Sequence, residues 1–79
     1  MTDHKKADVM GTRLMDRIGQ VRDTPLMFEE VQKICRRMGT GAGEVAFVLE
    51  CELYDVPADY CLAVCEVCGV SVSKLLGDD

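Results

Sequence analysis

Tryptophan is absent from this 79-residue chain, and the aromatic side chains are few: Phe28, Phe47, Tyr54 and Tyr60. A core must therefore be assembled from Leu, Val, Ile, Met and Cys, and five methionines make it adaptable. Histidine occurs once, as His4 near the N-terminus, so no Ser/His/Asp or Cys/His catalytic arrangement can form without an ordered tail. Basic residues almost vanish from the second half. Lys74 is the only one in residues 39–79, where the balance is −7, while residues 1–38 carry +2. An acidic half repels phosphates and suits basic surfaces. No apolar run reaches the roughly 20 residues of a membrane span. No apolar stretch follows Met1-Thr2-Asp3-His4-Lys5-Lys6, as an export signal would require. With five cysteines, an odd number, the expectation is a cytoplasmic protein with free thiols and no membrane association.

What is present is apolar side chain in quantity. Hydrophobic residues make up 48% of the chain. A domain of this size buries only roughly 60% of its unfolded surface, so such a surplus either packs very efficiently or is shared with a partner.

The apolar spacing predicts an all-α fold, a compact bundle of about five short helices. Residues 1–6 read as a disordered tail and residues 7–79 as a single helical domain. Met10, Leu14, Ile18 and Val21 mark a helix from Ala7 to about Arg22, weakened by Gly11 and Gly19 and broken at Asp23-Thr24. A second helix is predicted with Thr24 as N-cap, Pro25 in the first turn and Gly39 at its end. Met27, Val31, Ile34 and Met38 form its apolar face. Residues 44–55 open on the continuous apolar run Val45-Ala46-Phe47-Val48-Leu49, compatible with a buried strand or a buried helix. Glu50, Glu52 and Leu53 extend it in helix formers, so a helix is expected, either central or at an interface. Pro57 opens the next helix and Gly69 closes it; Ser71 caps a last short one, closed by Gly77.

Cys61, Cys65 and Cys68 have the C-x3-C-x2-C spacing of the iron–sulfur motif of radical enzymes that use S-adenosylmethionine. Those enzymes hold it on a loop of a far longer barrel. Here it lies between a helix-starting Pro and a helix-stopping Gly, which predicts three thiols on one core-facing stripe. The alternative is a metal site with Cys51 as fourth thiolate beside Cys61, Cys65 and Cys68. Thiolate chemistry would need a positive environment, and only Cys35, beside Arg36 and Arg37, has basic sequence neighbours. Gly39-Thr40-Gly41-Ala42-Gly43 lacks the Lys-Ser/Thr of a phosphate-binding loop and the spacing of a dinucleotide fingerprint, and is expected to be a flexible linker. No cofactor and no enzyme activity are expected.

The segment Pro57 to Leu76, with its Gly69-Val70-Ser71 stop and cap and the pair Leu75-Leu76, resembles the last two helices of lambda-repressor/Cro-type helix-turn-helix domains. That resemblance covers about a quarter of the chain. It implies a lambda-repressor-like C-terminal half and, with it, DNA binding as a dimer. The family's DNA-reading helix precedes this tail. The corresponding stretch here, Glu44 to Val56, is apolar and acidic, without Lys or Arg. Reading bases and neutralising phosphates both require such donors, so the resemblance speaks for fold more than for DNA binding.

Three functional expectations follow. The first is a non-enzymatic regulator that binds a protein with a basic surface, in the manner of small acidic anti-CRISPR or antirepressor proteins of phage. Glu44, Phe47, Glu50, Glu52 and Asp55 are its candidate contact residues. The second is a DNA-binding regulator using Lys33, Arg36 and Arg37. The third is a cysteine-rich metal protein. A homodimer is compatible with each.

Overall fold

The computed structural model describes residues 11–77 and shows five α-helices: α1 (Leu14–Arg22), α2 (Phe28–Met38), α3 (Ala42–Glu50), α4 (Ala58–Cys68) and α5 (Val72–Leu75). A 3-10 turn, Leu53–Asp55, lies between α3 and α4. Among the described residues no β-strand occurs beyond an isolated antiparallel bridge between Arg13 and Glu52. The all-α bundle expected from the spacing is what the chain forms. Residues 1–10, which include the expected tail and the expected start of the first helix, lie outside the described residues.

One core joins every helix. Leu14 and Ile18 of α1, Ile34 of α2, Val45 of α3, Leu53 of the 3-10 turn, Val64 of α4 and Leu75 of α5 are at most 2% exposed. The spacings of four and three residues that place them on single helix faces were visible in the sequence. α2 packs against both α3 and α4, and α1 against α3 and α5.

Helix ends follow local chemistry where the partners are local. The Gly39 and Gly69 backbones both turn left-handed and close α2 and α4. At Gly39 the turn sends its own N–H to the Cys35 carbonyl, and Thr40 N–H follows to the same oxygen at 3.1 Å. A side chain would be strained in that conformation. Ser71 Oγ accepts from Lys74 N–H at 3.2 Å and starts α5.

Several expected boundaries move, most of them for a non-local reason. The helix expected to run through Gly11 is interrupted over residues 11–13, and α1 starts at Leu14. Gly11 lies at φ +86°, and residues 12–14 pair with the chain after α3 through Leu53 N–H to Thr12 O (2.8 Å) and Leu14 N–H to Cys51 O (3.0 Å). The same pairing ends α3 at Glu50. Cys51 and Glu52 adopt extended backbone, so the helix expected over 44–55 becomes α3, an extended link and the 3-10 turn. The linker expected over 39–43 is shorter than predicted, because Ala42 and Gly43 form the first turn of α3.

The second helix begins at Phe28 rather than after Thr24, and Arg22 explains why. Its guanidinium donates to Thr24 O (3.1 Å) and Pro25 O (3.0 Å), carbonyls of a segment that stays out of the helix to supply them. It also forms a two-pronged ion pair with Glu30 at 2.5 and 2.6 Å and reaches Cys68 O at 3.4 Å. Glu30 in turn accepts from Met27 N–H at 2.9 Å, capping α2 from its third residue. Arg17 performs a related task at the other end of α1, donating to Leu75 O (2.8 Å) and Lys74 O (2.9 Å) at the end of α5. The arginines of α1 thus clamp α2, α4 and α5 to it.

Candidate protein-binding face

α3 buries Val45, Val48 and Leu49 and turns Ala46, Phe47 and Glu50 outward. Phe47 is 71% exposed, as open to solvent as any large apolar side chain among the described residues. Ala46, Leu49 and Glu50 line a shallow apolar depression of about 180 Å³ together with Met15, which projects from α1. Phe47 flanks Glu50 on the same helix surface by the three-residue rule. The acidic edge is Glu50, whose Oε1 accepts from Arg13 Nη1 at 3.2 Å. Both partners are half exposed or more, so that pair is weak and open to exchange.

The expected contact residues therefore divide. Phe47 and Glu50 share one face. Glu44 is turned to internal work: its Oε2 accepts from Thr40 Oγ1 (2.5 Å) and from the Tyr60 hydroxyl (2.7 Å). These two hydrogen bonds, Thr40 first, hold its carboxyl below the usual carboxylate range, and Glu44 in turn pushes the Tyr60 hydroxyl up. Glu52 Oε1 accepts from Gly11 N–H at 2.7 Å, fastening the N-terminal segment. Asp55 is exposed on the 3-10 turn. Met15 was missed in the sequence, although it stands off the Leu14–Ile18 stripe and so had to leave the core.

Lys33, Arg36 and Arg37 line a groove of about 550 Å³ with Glu66 and Val67 of α4. Arg37 forms an exposed ion pair with Glu66. The basic residues thus share their groove with α4 rather than with the outward surface of α3. A second apolar groove, about 320 Å³, runs between the 3-10 turn, α4 and α5, with Leu62 54% exposed beside it.

Cys61, Cys65 and Cys68 are buried in the core, on the stripe expected of them. Burial, the largest cause for each, pushes Cys65 up to about 12 and Cys68 to about 11, and raises Cys61 as well. These sulfurs are held as thiols at neutral pH, inert as nucleophiles. Cys51 lies elsewhere, at the end of α3, its Sγ donating to Phe47 O at 3.4 Å. The four thiols are not assembled as a ligand set: among the described residues, no group of three or more His, Cys, Asp or Glu is placed to hold a metal ion. Among them, too, no helix is long and apolar enough to cross a membrane.

Comparison with protein-family models, with curated proteins and with solved structures finds no match for the chain.

Proposed function

We propose that this chain is a non-enzymatic regulator that binds another protein through the outward face of α3, with Phe47 as anchor. The observation that carries this reading is the identity of the side chains on that face. α2, a three-residue turn and α3 have the connectivity of a helix-turn-helix unit, whose second helix ordinarily enters a DNA groove. Here that helix offers Ala46, Phe47 and Glu50, and carries neither Lys nor Arg. An exposed aromatic beside an apolar depression is the make-up of an interface hot spot. Burying Phe47 supplies about 1.5–3 kcal/mol of driving force. Glu50 and the net charge of −5 select a basic partner surface and speed its approach. The partner class that fits is a nucleic-acid-binding protein whose basic surface this acidic chain covers, in the manner of a phage-type inhibitor or antirepressor.

Affinity capture from the source organism tests this, with wild-type chain and Phe47→Asp immobilised in parallel. A partner with a basic surface should be retained by the wild type, and the variant should lose it. Capture of identical proteins by both chains, or of none at low salt, rejects the reading.

The helix-turn-helix connectivity also favours a second reading, a lambda-repressor-type DNA-binding regulator with Arg36 and Arg37 on the phosphate backbone. A gel shift with the region upstream of its own gene decides it. Phosphate contacts are strongest at low salt, so absence of a shift there removes this reading.

A further inference from the structure

The arginines of this chain fall into two groups. Every arginine of α1 and its entry is engaged in the fold: Arg13 with Asp16 and Glu50, Arg17 with the carbonyls of Lys74 and Leu75, Arg22 with Glu30 and three carbonyls. Those of α2 are not so used. Arg36 has no hydrogen-bond or ion-pair partner among the described residues. Arg37 has only the exposed pair with Glu66, the two side chains being 50% and 56% exposed. Lys33, one turn earlier, adds a positive field that extends to Glu30. All three project into the groove between α2 and α4, where one carboxylate and the apolar Val67 complete the lining. On a chain of net charge −5, this is a local concentration of donors that the fold leaves largely uncommitted.

We infer that the groove between α2 and α4 is a second binding site, which takes a short acidic peptide segment. Two observations choose this ligand class. The groove already holds a carboxylate in the right place: Glu66 on Arg37 shows how a ligand carboxylate sits there. An exposed pair of that kind contributes only about 0–1 kcal/mol, so an incoming carboxylate displaces Glu66 at small cost and gains the planar donor fork of arginine. Val67 offers an aliphatic neighbour for one apolar side chain of the same segment. A polyanion such as duplex DNA fits worse. It extends beyond the groove along α4, where the exposed Asp59 lies two turns before Glu66 on the same side of the helix. A short peptide feels mainly the charges within a screening length of about 8 Å at physiological salt.

The test uses the full chain, titrated at low and at physiological salt into a fluorescein-labelled peptide of glutamates flanking one leucine. The same peptide with glutamines replacing the glutamates is the control, and a short single-stranded oligonucleotide is the competitor. The glutamate peptide should bind, and the glutamine peptide should not. Substituting Arg36→Gln and Arg37→Gln together should weaken binding about tenfold or more, the loss expected for a charge-assisted hydrogen bond. Glu66→Gln, which frees Arg37, should tighten it, and Phe47→Ala should leave it unchanged. These sites are on the surface, so circular dichroism should give wild-type melts for the variants. The proposal is overturned by no binding at low salt, by equal binding of the glutamine peptide or of the double variant, or by displacement with the oligonucleotide. None of those results bears on the α3 face, whose reading stands or falls with Phe47.

Discussion

α3 and α4 are both rich in apolar residues, yet they spend them differently. α4 buries Tyr60, Cys61, Ala63, Val64, Cys65 and Cys68 and leaves Leu62 at its rim. α3 buries Val45, Val48 and Leu49 and leaves its largest side chain, Phe47, in solvent. A helix that is apolar on most sides reads from sequence as central. α4 is buried on most of its sides. α3, expected to be either central or at an interface, buries one face and leaves the other in solvent. The lesson is that apolar excess in a domain this small does not all enter the core.

The largest expected effect sets the same change on the two helices. Val64 is 1% exposed, and Val64→Asp places a carboxylate where no partner waits. The cost, several kcal/mol, is comparable with the total stability of a small domain, about 5 kcal/mol and upward. Val64→Asp should abolish the cooperative melt in circular dichroism. Phe47→Asp should melt within a few degrees of wild type. If it too unfolds the chain, Phe47 is a core residue and the contrast between the helices collapses.

A smaller effect comes from the clamp that α4 receives and α3 does not. Arg22 reaches Cys68 O at the end of α4 while it pairs with Glu30. The hydrogen bonds from Arg22, the largest cause, hold the Glu30 carboxyl at about 2 against an ordinary 4.5. A carboxylate depressed in the folded state stabilises the fold fully above its unfolded value. That contribution, about 2–3 kcal/mol, disappears as pH falls from about 4.5 through about 2. Glu30→Gln should therefore lower the melting temperature at pH 7 by roughly 10–20 °C, and lower it far less near pH 2. A constant deficit across that range would mean that the pair's charge contributes nothing.

Legibility in the sequence follows the same division. Where a boundary is set by residues next to it, the sequence announces it: Gly39, Gly69, Ser71 and Gly77 all act where their chemistry places them. Where a partner comes from far along the chain, the local signal misleads. Thr24-Pro25 is a good helix opening in isolation, yet Arg22 and Glu30 together move the start to Phe28. Nothing near Cys51 announces that residues 12–14 will pair with it. The site behaves alike. Phe47 and Glu50 were readable because α3 alone places them. Glu44 and Glu52 are equivalent to Glu50 in sequence, but Tyr60 and Gly11, from elsewhere along the chain, occupy their carboxylates.

The smallest effect asks whether α3 is held by its own sequence or by its neighbours. Gly43 lies in its first turn, exposed, with open space where a Cβ would stand, and no side chain caps the helix at Gly41. A glycine inside a helix costs about 0.5–1 kcal/mol relative to alanine, so α3 is intrinsically weak and depends on Val45, Val48 and Leu49 being packed. Gly43→Ala should raise the melting temperature by about 4 °C or somewhat more. Because Gly43 precedes Phe47 by four residues, it lies on the same side of the helix, and a methyl group there adds to the outward face without covering it. The substitution should thus stabilise the fold while leaving capture through Phe47 intact. Stabilisation accompanied by loss of partner would show that α3 has to loosen in order to bind, and that its weak helix is part of how the face works; no stabilisation at all would show that packing alone already fixes α3 as firmly as it fixes α4.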